Sequence, residues 1–297
     1  MRRCRAGTRS CSAAARATDV RLTALNVHPL KSGAIRPVRS VSVSPSGLAD
    51  DRAWMLVDPD GHMVSAREVH ELFTIVADTP ATDATLDRAL RLRAPGHPDL
   101  LLDHPVAARL PVRLFSLHLE ATPAGPGADA WLREVLGHDV RLVWCDDPTR
   151  RSLQPGVSEP GDHAAFPDAF PVTLASTASL GRLNDWIVET ALERGEDVPP
   201  PLPMSRFRPN VVVDGEVPFA EDGWTRVRIG DVELRAGKPV GRCVMTTIDP
   251  RTLETAKEPI RTLARHRRSP DGDTLFAVHL VPVSGGRIQV GDEVTVS

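Results

Sequence analysis

From residue 19 onward, apolar and polar positions alternate in short runs that turn residues cut off before they lengthen. "VRLTALNVHPLKSG" alternates at first and breaks at Pro29 and Gly33. "VRSVSVSPSGLADDRAWMLVDPDGHMVSAR" contains two strand-like runs and a "DPDG" turn, with Trp54, Leu56 and Val64 placed to pair across a hairpin. "LRLRAPG", "ARLPVRLF" and "VRLVWCD" continue the style, with "DAWLREVLG" as one short helix before the last. A stretch rich in Pro, Gly, Asp and Ser at 147–170 reads as a boundary or covering loop. "STASLGRLNDWIVETALER" then predicts a helix, capped by Ser176 or Thr177, with Leu180, Leu183, Ile187 and Leu192 along one side. The rest returns to strands: "NVVVDG", "WTRVRIGDVELRAG", "RCVMTTID", "LFAVHLVPV" and "RIQVGDEVTV". Many short strands between regular turns predict closed β-barrels, mainly β with a few helices (α+β). No βα alternation and no repeat is visible, which disfavours an α/β nucleotide fold.

Composition narrows the class. The chain has 297 residues, 41% hydrophobic and 25% charged, so it reads as soluble and globular, with room for one large domain or two. A net charge of -3 gives no case for nucleic acid or a membrane surface. No apolar run approaches the roughly 20 residues that span a bilayer. The four cysteines, Cys4, Cys11, Cys145 and Cys243, have no metal-ligand or redox-pair spacing, and a reducing cytoplasm is the expected compartment. Residues 1–18, Arg-rich and without an acid or an apolar core, read as a disordered tail or a misplaced start. G-x-G-x-x-G, G-x-x-x-x-G-K-[ST] and G-x-S-x-G are all absent. "HELFT" lacks the second histidine of a zinc-protease helix, and His62, His70 and His104 form no spaced pair with a cysteine.

"KPVGRCVMTTIDP" (238–250) carries the remaining chemistry. A cation beside a cysteine favours the thiolate, a nucleophile or a ligand for thiophilic metals. The plain alternative is a small buried hydrophobe on a strand. Lys31 and Ser32, Arg52, Arg208 and Asn210 fall at strand ends, the rim positions of a barrel. Singly each is a solvated polar group; together they suit a phosphate or a fused polar heterocycle.

"HPLKSG", "GLADDRAWMLVD", "GHMVSAR", "SRFRPNVVVDG", "GDVELRAGKPVGRCVMTTIDP" and "GDEVTV" occur in that order. The set resembles the molybdenum cofactor sulfurase C-terminal (MOSC) domain preceded by its N-terminal β-barrel partner. It is similar to the mitochondrial amidoxime-reducing component and its bacterial counterparts, from about residue 20 to the end. The resemblance implies an N-terminal MOSC-type β-barrel domain at 19–147 and a cofactor-binding MOSC domain at 148–297. It implies Cys243 as the protein thiolate on the metal of a molybdenum cofactor (Mo-molybdopterin). Lys31, Ser32, Arg52, Arg208, Asn210 and Arg242 would hold the pterin and its phosphate, and Arg67 would join them. "FPDAFPVTLASTASL" resembles the segment closing over the metal, with Asp168 as an acid or water-orienting group and Ser176 as a donor to the cofactor or a plain helix cap. Pyridoxal phosphate binding attaches to the superfamily as a general label only.

Three departures stand out. Gly241 replaces a serine of some relatives, removing one side-chain hydrogen bond. His279 stands where an amide is frequent. Neither a membrane anchor nor a ferredoxin module is expected with the domains, so a separate ferredoxin, flavoprotein or cytochrome would supply electrons. The implied activity is reduction of amidoximes, hydroxylamines and N-hydroxylated bases, with no nucleic-acid or membrane partner. A carrier of the cofactor, or of sulfur as a Cys243 persulfide, is the alternative, and a silent binding barrel a third reading.

Overall fold

Alternation becomes strand nearly wherever the sequence alternates. The protein is described by a computed structural model covering residues 20–154 and 158–297, so the tail expected at 1–18 lies outside the described residues. In chain order come β1 (Val20–Val27), β2 (Arg36–Val38), β3 (Ser40–Ser44), β4 (Gly47–Leu48), β5 (Trp54–Val57) and β6 (Met63–Val64). There follow β7 (Val76–Asp78), β8 (Leu90–Arg93), β9 (Leu100–Leu102), β10 (Leu110–Leu114), β11 (Leu117–Pro123), α1 (Pro126–Leu136) and β12 (Arg141–Trp144). The remainder is β13 (Val172–Ser176), α2 (Thr177–Arg194), β14 (Val211–Val213), β15 (Arg226–Ile229), β16 (Val232–Arg242), α3 (Ile260–His266), β17 (Thr274–Pro282), β18 (Gly286–Gln289) and β19 (Glu293–Val296).

Seven strands close a barrel in the order β14-β13-β17-β16-β15-β19-β1, because β1 also pairs with β14. A register shift between Leu22 and Ala24 moves the inward set of β1 from Val20 and Leu22 to Leu25 and Val27. These pack on Val172, Leu174, Val278 and Leu280, and the small β18-β3-β4 sheet adds Val41, Val43 and Ile288 to the same core. The first described strand thus belongs to a barrel otherwise built from 172–296. The expected boundary at 147/148 divides the sequence but not this sheet.

The second unit is a half-barrel, β10-β11-β12-β5-β6. Every residue of β5 is buried, and its alternation feeds two cores. Trp54 and Leu56 join Leu132 and Leu142 under α1, while Met55 and Val57 join Val112, Leu114 and Phe166. Leu56 pairs with Val64 across the expected hairpin, whereas Trp54 faces Trp144 of β12.

Two expectations are corrected. β13 and β14 run parallel with α2 between them, so one βαβ crossover exists where no βα alternation was read. On α2, Leu183, Ile187 and Ala191 are buried but Leu192 is 67% exposed, because it sits off the 3.6-residue stripe.

Candidate functional site

The two units are stitched together where β1 runs out. Arg52 N–H donates to His28 O (2.7 Å), Trp54 N–H to Pro29 O (3.0 Å) and Lys31 N–H to Trp54 O (2.8 Å). This pairing sets Lys31 and Ser32 beside Arg52. Eight non-glycine residues have positive φ among those described, and three of them, Ser32 (67°), Arg52 (50°) and Arg208 (49°), line one cavity of about 580 Å³. Left-handed backbone costs about 1–3 kcal/mol at such residues. Seven lysines and arginines and three aspartates line this cavity, together with Cys243.

Beneath the cations lies a buried polar frame. Asp51 Oδ1 accepts from His28 N–H (2.8 Å), His28 Nδ1 (3.2 Å) and Asn210 Nδ2 (2.9 Å), and Arg52 Nη1 donates to Asp51 Oδ2. Asn210 Oδ1 accepts from Arg52 Nη1 and from Thr173 N–H, both at 3.1 Å, and its Nδ2 also reaches Asn26 O (3.2 Å). Burial alone would raise the Asp51 carboxyl, but Arg52 and His28 bring it down to about 2. His28, lowered to about 3 by burial and then by Arg52 and Arg208, stays neutral. Asn210 was expected to touch the cofactor. It is fully buried with both side-chain polar atoms bonded inside the protein, so it holds Arg52 in place.

The second cluster surrounds Asp168. Lys31 Nζ donates to Asp168 Oδ1 and to Phe166 O (2.8 Å), and Arg67 Nη2 donates to Asp168 Oδ2 (2.9 Å). Burial opposes the charge, yet Lys31 and Arg67 hold this carboxyl well below the usual range. The carboxylate is thus ionised and accepts from both cations, which speaks against the acid of the two roles expected for Asp168. Lys31 is lowered to about 8 by its burial, which Asp168 only partly offsets. Arg151, which the sequence reading passed over, ties the segment down through Ala165 O and Pro167 O (2.6 Å each) and Asp168 O (3.2 Å). A buried arginine in an aperiodic loop leaves no periodic signal.

Cys243 sits just beyond the end of β16 and is exposed. "RCVMTTID" was expected to be a strand; instead residues Val244–Thr247 form a 3-10 turn. Its cause is local: Thr246 N–H and Oγ donate back to Cys243 O (3.1 and 3.0 Å), and Thr247 Oγ donates to Val244 O (2.6 Å). Arg206 clamps the same turn through Thr246 O and Thr247 O, both at 3.1 Å. The cation on the thiol is Arg67, whose Nε donates to Cys243 Sγ at 3.4 Å. Arg242, the sequence neighbour, instead donates to Phe276 O (2.8 Å) and Phe207 O (3.1 Å).

Polar groups are left over. Arg242 Nη2 and His279 Nδ1 are buried without a hydrogen-bond partner among the described residues. The Arg208 guanidinium rests 5.6 Å from the Phe73 ring centre and has no hydrogen bond or ion pair among the described residues. Burial and Arg52 lower it to about 9. A Cβ at Gly241 would stand 3.3 Å from Asp273 Cγ, a tight contact that the exposed aspartate side chain would have to relieve by a small shift. Ser176 lies outside the lining: its Oγ accepts from Ala178 N–H (3.1 Å) as the N-cap of α2, the plainer of its two readings.

A closed barrel, a half-barrel and a cysteine at a strand end among cations define a class. The MOSC domain profile matches residues 161–295 and the MOSC N-terminal beta barrel domain profile residues 19–139. The chain belongs to the MOSC family in this two-part form. It is 33% identical over 261 residues to mitochondrial amidoxime-reducing component 1 of Danio rerio, covering 83% of this chain and 74% of that protein. It is 31% identical over 288 residues to the Homo sapiens component 1, covering 90% and 80%. The Rattus norvegicus component 2 is 32% identical over 294 residues, again covering 90% and 80%. No helix among the described residues is long and apolar enough to cross a membrane. No group of three or more His, Cys, Asp or Glu among them could hold a metal ion.

Proposed function

We propose that this protein is a molybdenum cofactor-dependent oxidoreductase that reduces N-hydroxylated compounds such as amidoximes and hydroxylamines, using electrons from a separate redox protein. The observation that carries the reading is an exposed thiol in a cavity where the Arg208 guanidinium and Arg242 Nη2 have no hydrogen-bond partner among the described residues. The residues fit the cofactor: a dianionic phosphate would satisfy Arg208 and the spare Arg242 Nη2, with Arg52 and Lys31 adding charge. Cys243 Sγ would be the protein's ligand to the metal. Bound there, the cofactor supplies two-electron oxygen-atom chemistry.

The chain's own contribution is placement and charge. Arg67 holds the sulfur, Asp168 fixes Arg67 and Lys31 at the mouth, and the Asp51–Asn210 frame keeps Arg52 turned toward the cavity. The names of the relatives support the substrate class. Asp168, with one edge on two cations and its side chain 51% exposed, can orient water or a substrate N–H.

Metal analysis of wild type beside Cys243→Ser, from a host that makes the cofactor, tests this. About one molybdenum per chain in wild type and none in the variant is expected. Benzamidoxime should be reduced with dithionite-reduced methyl viologen, and Cys145→Ser should behave as wild type. A metal-free protein bearing a Cys243 persulfide would establish the carrier instead.

A further inference from the structure

The β10–β11 hairpin turns on Phe115 and Ser116, since Leu114 pairs with Leu117. Tight hairpin turns take glycine, asparagine or aspartate where φ is positive. Here Phe115 has φ 54° and is 48% exposed. A bulky ring in left-handed backbone and half in water is unfavourable on both counts, and such outliers gather at sites that use them. Its neighbours say which site. Lys31 Nζ lies 5.7 Å and Arg67 Cζ 5.1 Å from the ring centre. Both cations line the cavity, both hold Asp168, and Arg67 is the donor to Cys243. Val244, directly after Cys243, is likewise 48% exposed. Phe115 thus lies against two cations that line the cavity, and Val244 follows the thiol directly in the chain, so two exposed apolar side chains flank the neighbourhood of Cys243.

We propose that Phe115, together with Val244, is the specificity element of this site: an apolar wall beside Cys243 that selects N-hydroxylated substrates whose reactive group is borne on a flat, unsaturated body. The substrate chemistry rests on the function proposed above; the selectivity rests on Phe115. The cations over the ring keep it turned toward the mouth. Its exposed remainder offers a planar surface on which an aryl group stacks, while a small aliphatic substrate gains nothing from it.

The experiment compares full-length wild type with Phe115→Leu and Phe115→Gly, the glycine chosen because it suits the positive φ and separates loss of the ring from misfolding. With cofactor-loaded enzyme, Phe115→Gly should raise KM for benzamidoxime by about three- to tenfold and leave kcat within about twofold. KM for acetamidoxime should stay within about twofold, and Phe115→Leu should fall between. In cofactor-free protein, Cys243 modification by N-phenylmaleimide relative to N-methylmaleimide, read on the Cys243 peptide by mass spectrometry, should lose its aryl preference by at least about threefold. Equal changes for both amidoximes, or an unchanged maleimide ratio, overturn the proposal. If wild type reduces no amidoxime, the reaction assigned above fails and the maleimide ratio alone decides the role of Phe115.

Discussion

Arg67 Nε donates to Cys243 Sγ across 3.4 Å, although 176 positions separate the two residues. The half-barrel thus delivers the cation and the closed barrel the sulfur. Arg67 also donates to Asp168, so its guanidinium spans the mouth as a bracket.

Arg67→Ala should slow iodoacetamide alkylation of Cys243 at pH 7.5 by about three- to tenfold, equivalent to the roughly 1 kcal/mol of an ordinary net hydrogen bond. Arg67→Lys should recover only part of the rate, because a single ammonium cannot serve both partners in the guanidinium's fixed geometry. Identical rates in all three proteins would show the contact to be idle.

Asp168→Asn leaves Lys31 and Arg67 without their shared anion. The loss should be about 1–3 kcal/mol, below that of a fully buried pair, because the Asp168 side chain is 51% exposed. The pH dependence has two signed parts. The Asp168 carboxyl is depressed in the folded state, so its contribution is present above the unfolded value of about 4 and is lost as pH falls. Lys31 is lowered to about 8, so the cost of burying its charge is relieved as pH rises from there toward about 10.4. In the variant the acid limb should flatten and the alkaline rise should begin below pH 8; urea melts between pH 3 and 10 would read both.

Asn210→Ala removes a residue that bonds Asp51, Arg52, Thr173 and Asn26. It should destabilise the protein by about 2–4 kcal/mol, since several buried groups lose partners together. Molybdenum content should fall as well, through a misplaced Arg52. Full metal content in a destabilised protein would confine Asn210 to folding.

Arg208→Ala should move stability and cofactor retention in opposite directions. Its guanidinium is buried enough to be lowered to about 9 and has no ion pair among the described residues. Removing it should relieve about 1 kcal/mol in cofactor-free protein, a rise of about 2–4 °C in Tm. Retention of molybdenum on dialysis should drop. A lower Tm together with unchanged retention would make Arg208 structural.

Strand positions were legible because side-chain alternation is a local property of the pleat, and the β1 and β5 runs show it directly. Gly61 and the capping Ser176 were legible for the same reason: φ of 84° suits a glycine turn, and a cap needs only its own helix. The turn after Cys243 was not, because Val, Met, Thr and Ile favour a strand. Three threonine-to-carbonyl bonds and the Arg206 clamp override that preference. Arg151 and Phe115 gave no signal, since neither a buried arginine in a loop nor an aromatic at positive φ follows a period.

By itself the sequence determined which residues could be strands, which cysteine sat among strand-end cations, and which motifs marked the family. Only the tertiary structure decided that β1 closes the far barrel, that Arg67 and not Arg242 reaches the thiol, and that Asp168 stays ionised. The reason is physical: propensity and patterning act over a few residues, whereas a guanidinium's partner and a carboxylate's charge depend on which distant segments folding brings within a few ångströms.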